Sequence, residues 1–456
     1  MSIFTPLSIA RSALVAQQRA LSVTGANIAN VNTPGYTRQR AVLSPVGEGE
    51  AGGVRVSTIE RVVDRLLDAR ELRSASALGS AGVERDFADR VQALFPVDGS
   101  NIGTALDDFF SAASELSTHP EEVAVRSDLL ARADALATRI RSTAQGLADL
   151  QRDADGRIVD SARDVNPILA QIARLNRSIP AADPSSGANE LADQRRQAIA
   201  ELATRLDVRV VERPNGTADV FAASGAALVL GDQAAELAAE PTSDLGLDGS
   251  ALHALGVRDA GGGVIPLAGP LGGELGALQE LRDTTLPDDA GALDAFATTL
   301  RDAVNGVQTA ASGRDLDGLV GQPLFSGTGA ADLAVALADP RGIAAALSAT
   351  PGDNANALAL VALRTTEFPS LSGARLGDFH GDLLAQVGGR ARDAADRLTV
   401  AENLAASLSA QRESVSGVSL EEEFTDLIRF QHGFQAAGQL VAVSNRLLDD
   451  LMGLVR

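Results

Sequence analysis

The chain of 456 residues contains no cysteine, no tryptophan, no lysine and a single tyrosine. The missing cysteines exclude disulfides, thiolate metal sites and cysteine nucleophiles together. That fits a protein exported without oxidative folding, and equally one that stays in the cytosol. Aromatic residues amount to 3%, so the interior has to be built from Ala, Leu, Val and Ile, a composition suited to long helices packed side by side. All 39 basic side chains are arginines, and 60 acidic residues bring the formal charge to −21. Neutralising phosphates needs a cationic face, so neither nucleic acid nor an anionic membrane is expected as a partner. No apolar run approaches the ~18 residues of a membrane span. The opening MSIFTPLSIARSALVAQQ lacks a basic segment and Arg11 breaks its apolar stretch, so no cleaved secretory signal is expected.

What is present is a pattern at the two ends. Leu7, Leu14, Leu21 and Ile28 repeat every seven residues at the start, and Leu420, Leu427, Phe434, Val441 and Leu448 do so at the finish. Ile3, Ala10, Gln17 and Thr24 fall four residues before successive members of the first series, completing the three-four alternation of a helix seam. Both stripes are narrow, which suits a helix covered by one or two partners better than one inside a globular core. Periodicity alone leaves two readings open: ordinary helices packed on their own domain, or ends that seal against each other or against neighbours.

Between the ends the length allows two to four domains. Asn32, Thr33, Pro34 and Gly35 supply turn chemistry, after which the chain alternates as a strand, and GVRVSTIERV from Gly53 is placed to pair back as a hairpin. A helix is expected from Asp64 to Leu94, ended by Phe95 and Pro96; no element is assigned from there to Glu121. From Glu121 to Ile179 the sequence reads as one helix of roughly 85 Å, striped by Leu129, Ala133, Leu136, Ile140, Leu147, Leu150, Ile158, Ala162 and Val165. Pro167 is expected to kink or interrupt it. Another helix follows over Asn189 to Leu206. Short alternating runs separated by Asn215-Gly216, Gly225 and Gly231 then indicate a small β domain to about Leu267. Helix returns over Gly273 to Thr309, mixed segments run to about Gly389, and two helices, Arg390 to Ser414 and Leu420 to Val455, close the chain. The expected fold is mainly α with a β insertion. It comprises a coiled-coil domain of the terminal helices (1–45 and 415–456), a long-helix bundle (46–206 and 268–414) and the small β domain (207–267).

The stretch Asn27-Ile28-Ala29-Asn30-Val31-Asn32-Thr33-Pro34-Gly35-Tyr36 resembles the N-terminal signature of flagellar rod, hook and hook-associated proteins. The segment from Ser416 through Leu420, Phe424 and Phe434 is similar to the C-terminal helix shared by the same axial proteins. Asn189-Glu190-Leu191-Ala192-Asp193-Gln194-Arg195-Arg196, with the VRVVERPNGTADVFAASGAALVLG that follows Asp207, resembles the hook-filament junction members, as do Gly53 to Asp64 and Gly318 to Phe325. The likeness is weakest over Ala330 to Arg390, and the outer β domain is small for such a family. The resemblance implies a secreted structural subunit of the bacterial flagellum that joins hook to filament, its terminal helices forming an inner tube. It implies as partners copies of itself, the hook protein, the adjoining hook-associated protein on the filament side, and an export chaperone on the C-terminal helix. The assembly residues it implies are Leu7, Leu14, Leu21, Asn27, Ile28, Asn30, Asn32, Pro34, Gly35, Tyr36, Leu420, Phe424, Leu427, Phe434, Val441 and Leu448. A hook or distal-rod protein, and a soluble wall-modifying enzyme, are the alternatives.

Chemistry-bearing patterns are few. Asp378, His380 and Asp382 in GDFHGD alternate like metal ligands, but such alternation with Gly is common in solvated linkers. Asp315-Leu316-Asp317-Gly318 and Asp153-Ala154-Asp155-Gly156 are each half of a calcium loop without the downstream ligands, and polar turns explain them. Gly269 to Gly276 lacks the strand-to-helix context of a phosphate loop. No catalytic, cofactor or metal residue is assigned, and no enzyme activity or cofactor is expected.

Overall fold

The computed structural model describes residues 4–46, 52–96, 99, 101–182, 187–258 and 262–454. Ile3 and Val455 of the predicted terminal helices lie outside them. Helix α1 (Phe4–Ala29) leads through the Asn30 to Tyr36 turn into a hairpin, β1 (Gln39–Pro45) and β2 (Val54–Arg61). Helix α2 (Arg65–Leu94) follows, its first amides at Leu66 and Leu67 bonded by the side chain of Asp64. Then come α3 (Ile102–Thr118), α4 (Val123–Ser178) and α5 (Gly187–Arg205). Two antiparallel sheets occupy the predicted β segment: β3 (Val208–Glu212), β4 (Ala218–Ala222), β5 (Ala227–Leu230) and β6 (Gln233–Ala234) in one, β7 (Glu236–Leu245), β8 (Ala251–Arg258) and β9 (Val264–Pro266) in the other. Helices α6 (Gly273–Glu280) and α7 (Leu286–Gln308) are joined by a π-helical turn, Leu281–Thr285. The short strands β10 (Phe325–Ser326) and β11 (Ala334–Val335), helix α8 (Ala355–Ala362), and the long α9 (Leu376–Ser416) and α10 (Leu420–Leu454) complete the chain.

The 56-residue α4, about 84 Å long at 1.5 Å per residue, is the spine. Its predicted stripe is buried from Leu129 to Val165, with α3, α5, α7 and both central sheets against it. The expected interruption at Pro167 is absent, and the helix runs on to Ser178. Tertiary contacts explain why proline is tolerated: Ile168, Leu169 and Ile172 are buried beyond it, and Asn166 just before it bonds both the N–H and the C=O of Leu237 on β7 (2.7 and 2.9 Å). Asn176 does the same for β4, accepting from Ala218 N–H and donating to the Ala218 and Gly231 carbonyls. Helical asparagines thus stand in for strand neighbours, satisfying backbone groups that burial would otherwise leave unpaired.

Three sequence readings are corrected. Helix α3 fills the stretch left unassigned, and Phe109 and Phe110 stack edge-on at 5.3 Å in the core beside Phe325. Helix α9 begins fourteen residues before the expected Arg390, so GDFHGD is helical rather than a linker. The buried stripe Leu376, His380, Leu383, Val387 and Ala391 has helical spacing, and it takes His380 inward next to Phe296, where burial lowers its pKa. Asp153 and Asp155 likewise sit inside α4, not in a turn. Among the described residues no group of three or more His, Cys, Asp or Glu side chains is placed to hold a metal ion, and no helix is long and apolar enough to cross a membrane.

Asp155 ties three elements together. Its carboxylate accepts from the backbone N–H (2.9 Å) and ring Nδ1–H (2.6 Å) of His253 on β8 and from Arg282 in the π-turn (2.7 Å). Burial pushes its pKa up, but these donors outweigh burial and hold it below the ordinary 3.8. The contribution is therefore complete above pH 3.8 and disappears as the pH falls through the lower native value. Replacing Asp155 by Ala removes the α4 carboxylate from the buried Arg282, which keeps Asp283. It should cost about 1 to 3 kcal/mol in urea unfolding at pH 7, and the difference should shrink as the pH is lowered below 3.8.

Candidate functional site

The Asn27 to Tyr36 signature folds into a junction where both chain ends meet the body. Helix α1 stops as Asn30 turns its side chain back to the Ala26 carbonyl, and Thr33 bonds Asn30 in turn. Gly35 then takes φ +80°, and a side chain there would collide with Gln197 of α5. Asn27 is 1% exposed and uses its whole amide. Nδ2 donates to the Gln39 carbonyl (2.8 Å) and to Glu423 of α10 (3.0 Å), and Oδ1 accepts from Gln39 N–H (3.0 Å) and the Tyr36 hydroxyl (2.9 Å). Glu423, also 1% exposed, turns its other oxygen to Arg38 Nε at 2.7 Å. Arg38 pairs further with Glu422, and its N–H bonds the Ser416 carbonyl.

The second signature, Asn189 to Arg196, faces the first. Asp193 accepts from the N–H and hydroxyl of Thr37 (3.1 and 2.7 Å), with Arg61 3.0 Å away. Asn189 donates to the Ile59 carbonyl, Arg196 to that of Gly35 and Gln197 to that of Pro34. The two motifs are halves of one contact. Asp193 belongs to the second signature but was not named as an assembly residue, and Thr37, Arg38, Gln39 and Glu423 were not singled out in the sequence. Glu423 had a findable signal: with Phe430, Ala437 and Ser444 it forms its own seven-residue series.

That series, rather than the leucines, makes the centre of the seam. Helices α1 and α10 run antiparallel; the buried positions of α1 are Ala10, Ala16, Ala20, Val23, Thr24 and Asn27, covered by α10 and the β1–β2 hairpin together, and those of α10 are Glu423, Ala437 and Ser444. Gln17 passes so close to Gly433 that a Cβ there would lie 2.9 Å from its amide carbon. Leu7, Leu14, Leu21, Ile28, Leu427, Val441 and Leu448 are half-buried along the rim. Leu420, Phe424 and Phe434 are exposed, as are Ile428, Leu440, Val443 and Leu447, with Phe424 at 52% and Ile428 at 53%. Of the signature itself, Asn32 and Pro34 face outward, while Asn30, Gly35 and Tyr36 are half-buried.

A model of the flagellar hook-associated protein FlgK helical domain matches residues 88–325, and one of flagella basal body rod proteins matches residues 7–37. The chain belongs to the flagellar hook-associated protein FlgK family. It is thereby a structural component of the bacterial flagellum, of the class found at the hook-filament junction. Flagellar hook-associated protein 1 of Bacillus subtilis is 28% identical, covering 99% of this chain and 98% of its own length. The Salmonella typhimurium protein of that name is 26% identical, covering 98% and 99%. The latter alignment extends over 552 positions against 456 residues here, so that relative carries stretches this chain lacks. In fold, the chain is similar to the flagellar hook junction protein FlgK from Burkholderia pseudomallei, with a TM-score of 0.68 at 16% identity, covering 77% of this chain and all of that one. Membership in this family makes the chain a structural flagellar protein and favours the junction class over hook or rod proteins.

Tyr36 makes the junction measurable. Burial, then the negative charges of Asp193 and Glu423, push its phenol up to about 12 from 10.0. Because it is the sole tyrosine and tryptophan is absent, absorbance at alkaline pH reports on it alone. The folded protein should titrate near 12, the urea-unfolded chain near 10, and Glu423→Gln between them. The folded state binds the extra proton, so stability should fall as the pH rises from 10 to 12. A folded-state midpoint at 10 would mean that Tyr36 is not held in this cluster.

Proposed function

We propose that the α1–α10 pair is the part of the subunit that seals against its neighbours, copies of itself above all, so that the pairs line an inner tube and the body sits outside. On this reading segments 1–45 and 415–456 act as one unit, contacting hook protein on one side and the adjoining hook-associated protein on the other. Segments 46–206 and 268–414, with the β insertion 207–267, form the outer part. A flagellar export chaperone covers α10 beforehand, and the chain reaches the flagellum through the flagellar type III route.

The observation that carries this reading is the outward apolar face of α10. Leu420, Phe424 and Ile428 form one exposed patch and Leu440, Val443 and Leu447 another, while the side facing α1 is closed by small residues. Contiguous exposed apolar surface marks an interaction site, and covering this face with a further partner would add burial that the pair alone does not have. The outward Asn32 and Pro34 are proposed as additional contacts to a neighbouring subunit.

Phe424→Ser combined with Ile428→Ser changes only exposed positions. The purified monomer should keep its urea stability within about 0.5 kcal/mol. Cells carrying the double variant should shed filament protein into the medium and fail to swim, and the chaperone should no longer be retained by the purified variant. Normal filaments on such cells would overturn the assignment of this face.

A further inference from the structure

The two exposed apolar patches of α10 lie on opposite flanks of the helix. Its seam series, Glu423, Phe430, Ala437 and Ser444, turns toward α1, and three of the four are buried. Successive residues turn by about 100° around a helix. Leu420, Phe424 and Ile428 stand three before, one after and five after Glu423, which puts all three on one flank of the seam. Leu440, Val443 and Leu447 stand four before, one before and three after Ser444, which puts them on the other. Each flank changes character midway. Level with the first patch, the opposite flank carries Glu422 and the ion pair of Asp426 with Arg429 (2.9 Å). Farther along the first patch's own flank come Asn445 and Asp449, both exposed.

This crossing restricts how copies can sit side by side. On the reading of the terminal pairs as an inner tube, on which the inference rests, neighbouring copies are parallel and each turns one flank to the opposite flank of the next. At equal height, Leu420, Phe424 and Ile428 would meet Glu422, Asp426 and Arg429 of the neighbour, taking charges out of water against apolar side chains. We infer that neighbouring copies are instead staggered along α10, so that Leu420, Phe424 and Ile428 of one pack on Leu440, Val443 and Leu447 of the next. The three pairings share nearly one offset, 20 residues for the first and 19 for the other two, or about 29 Å at 1.5 Å per residue. The occupant of each patch is a second copy because the patches match each other in length and register and lie on the flanks that parallel copies present to one another. A contact between unlike patches is heterologous, and with a rise at every step it winds copies along a helical path instead of a flat ring. The stripe opposite the seam, Glu421, Thr425, His432 and Gln439, is exposed and polar and needs no neighbour.

Because the chain has no cysteine, introduced cysteines report without background. Flagella sheared from cells carrying full-length Phe424→Cys with Val443→Cys should give, on mild oxidation, a ladder of covalent oligomers that collapses on reduction. Each single variant should run as a monomer. Leu420→Cys with Leu440→Cys, which keeps the aromatic contact, should give the same ladder. Phe424→Cys with Glu422→Cys, the combination that copies at equal height would join, should give none. Dimers from Phe424→Cys alone, the mark of a twofold contact, or a ladder from the Glu422→Cys combination would overturn the stagger while leaving α10 as the face between copies. Absence of covalent oligomers from every variant, in flagella that keep their filaments, would overturn the stagger and the assignment of this face to copies together.

Discussion

Two helices 396 positions apart in sequence meet at the amide of Asn27 and the carboxylate of Glu423, and the arrangement of the ends depends on that contact. Closing so long a loop through an unfolded chain carries an entropic cost that grows only logarithmically with length. Here the folded body has already brought the segments together. Hairpin β1–β2 leaves α1 at Thr37 and is held to α5 by Asp193, while α9 delivers α10 beside Arg38 through Ser416. The buried pair then needs its charges matched, because a lone carboxylate in such a place would take up a proton or reopen the site. Arg38 and the Asn27 amide supply that match, and Tyr36 completes the amide.

Beyond that anchor the ends are lightly bound to the rest. The continuous apolar core runs from Val83 in α2 to Val387 in α9 and includes no residue of α1 or α10. Outside it, the first half of α2 and the second half of α9 pack through Leu67, Ser74, Ala81, Ala394, Ala401 and Leu408, mostly small side chains. Cohesion therefore falls in steps: a dense body, a two-helix stalk, then a terminal pair whose buried positions are mostly small or polar. Small residues let two helices approach closely but bury little area, and burial at ~25 cal/mol per Å² is the main source of stability. A pair built this way leaves its larger side chains for other surfaces.

The same economy explains what could be read from the sequence. Helix lengths, the β insertion and the hairpin follow from period and turn chemistry, and the buried stripe of α4 was legible residue by residue. The phase of the terminal seam was not. Leucines announce a stripe, but closest approach is decided by residues such as Ala20, Gly433 and Ala437, which hydropathy hardly distinguishes from a solvated face. The leucine heptads accordingly lie along the edge of the buried arc. Pro167 and GDFHGD misled for a related reason: local propensity is weak beside tertiary burial. Proline is carried by the contacts of Asn166, Ile168 and Leu169, and a Gly- and Asp-rich run is helical because Leu376, His380, Leu383 and Val387 share a face.

Signature motifs carry a further ambiguity that only geometry resolves. A stereotyped segment such as Asn27 to Tyr36 looks like a contact between subunits, since its polar groups have no evident local use. In the folded chain most of those groups are consumed within the subunit: Asn27 and Tyr36 by each other and by Glu423, Gly35 by the passage of Gln197. Only the tip at Asn32 and Pro34 remains outward. The requirement for these residue types therefore comes first from the need to set the angle at which the terminal pair leaves the body. Any contact between subunits inherits that angle, because a neighbour can engage the face of α10 only where the anchor at Asn27 has already placed it.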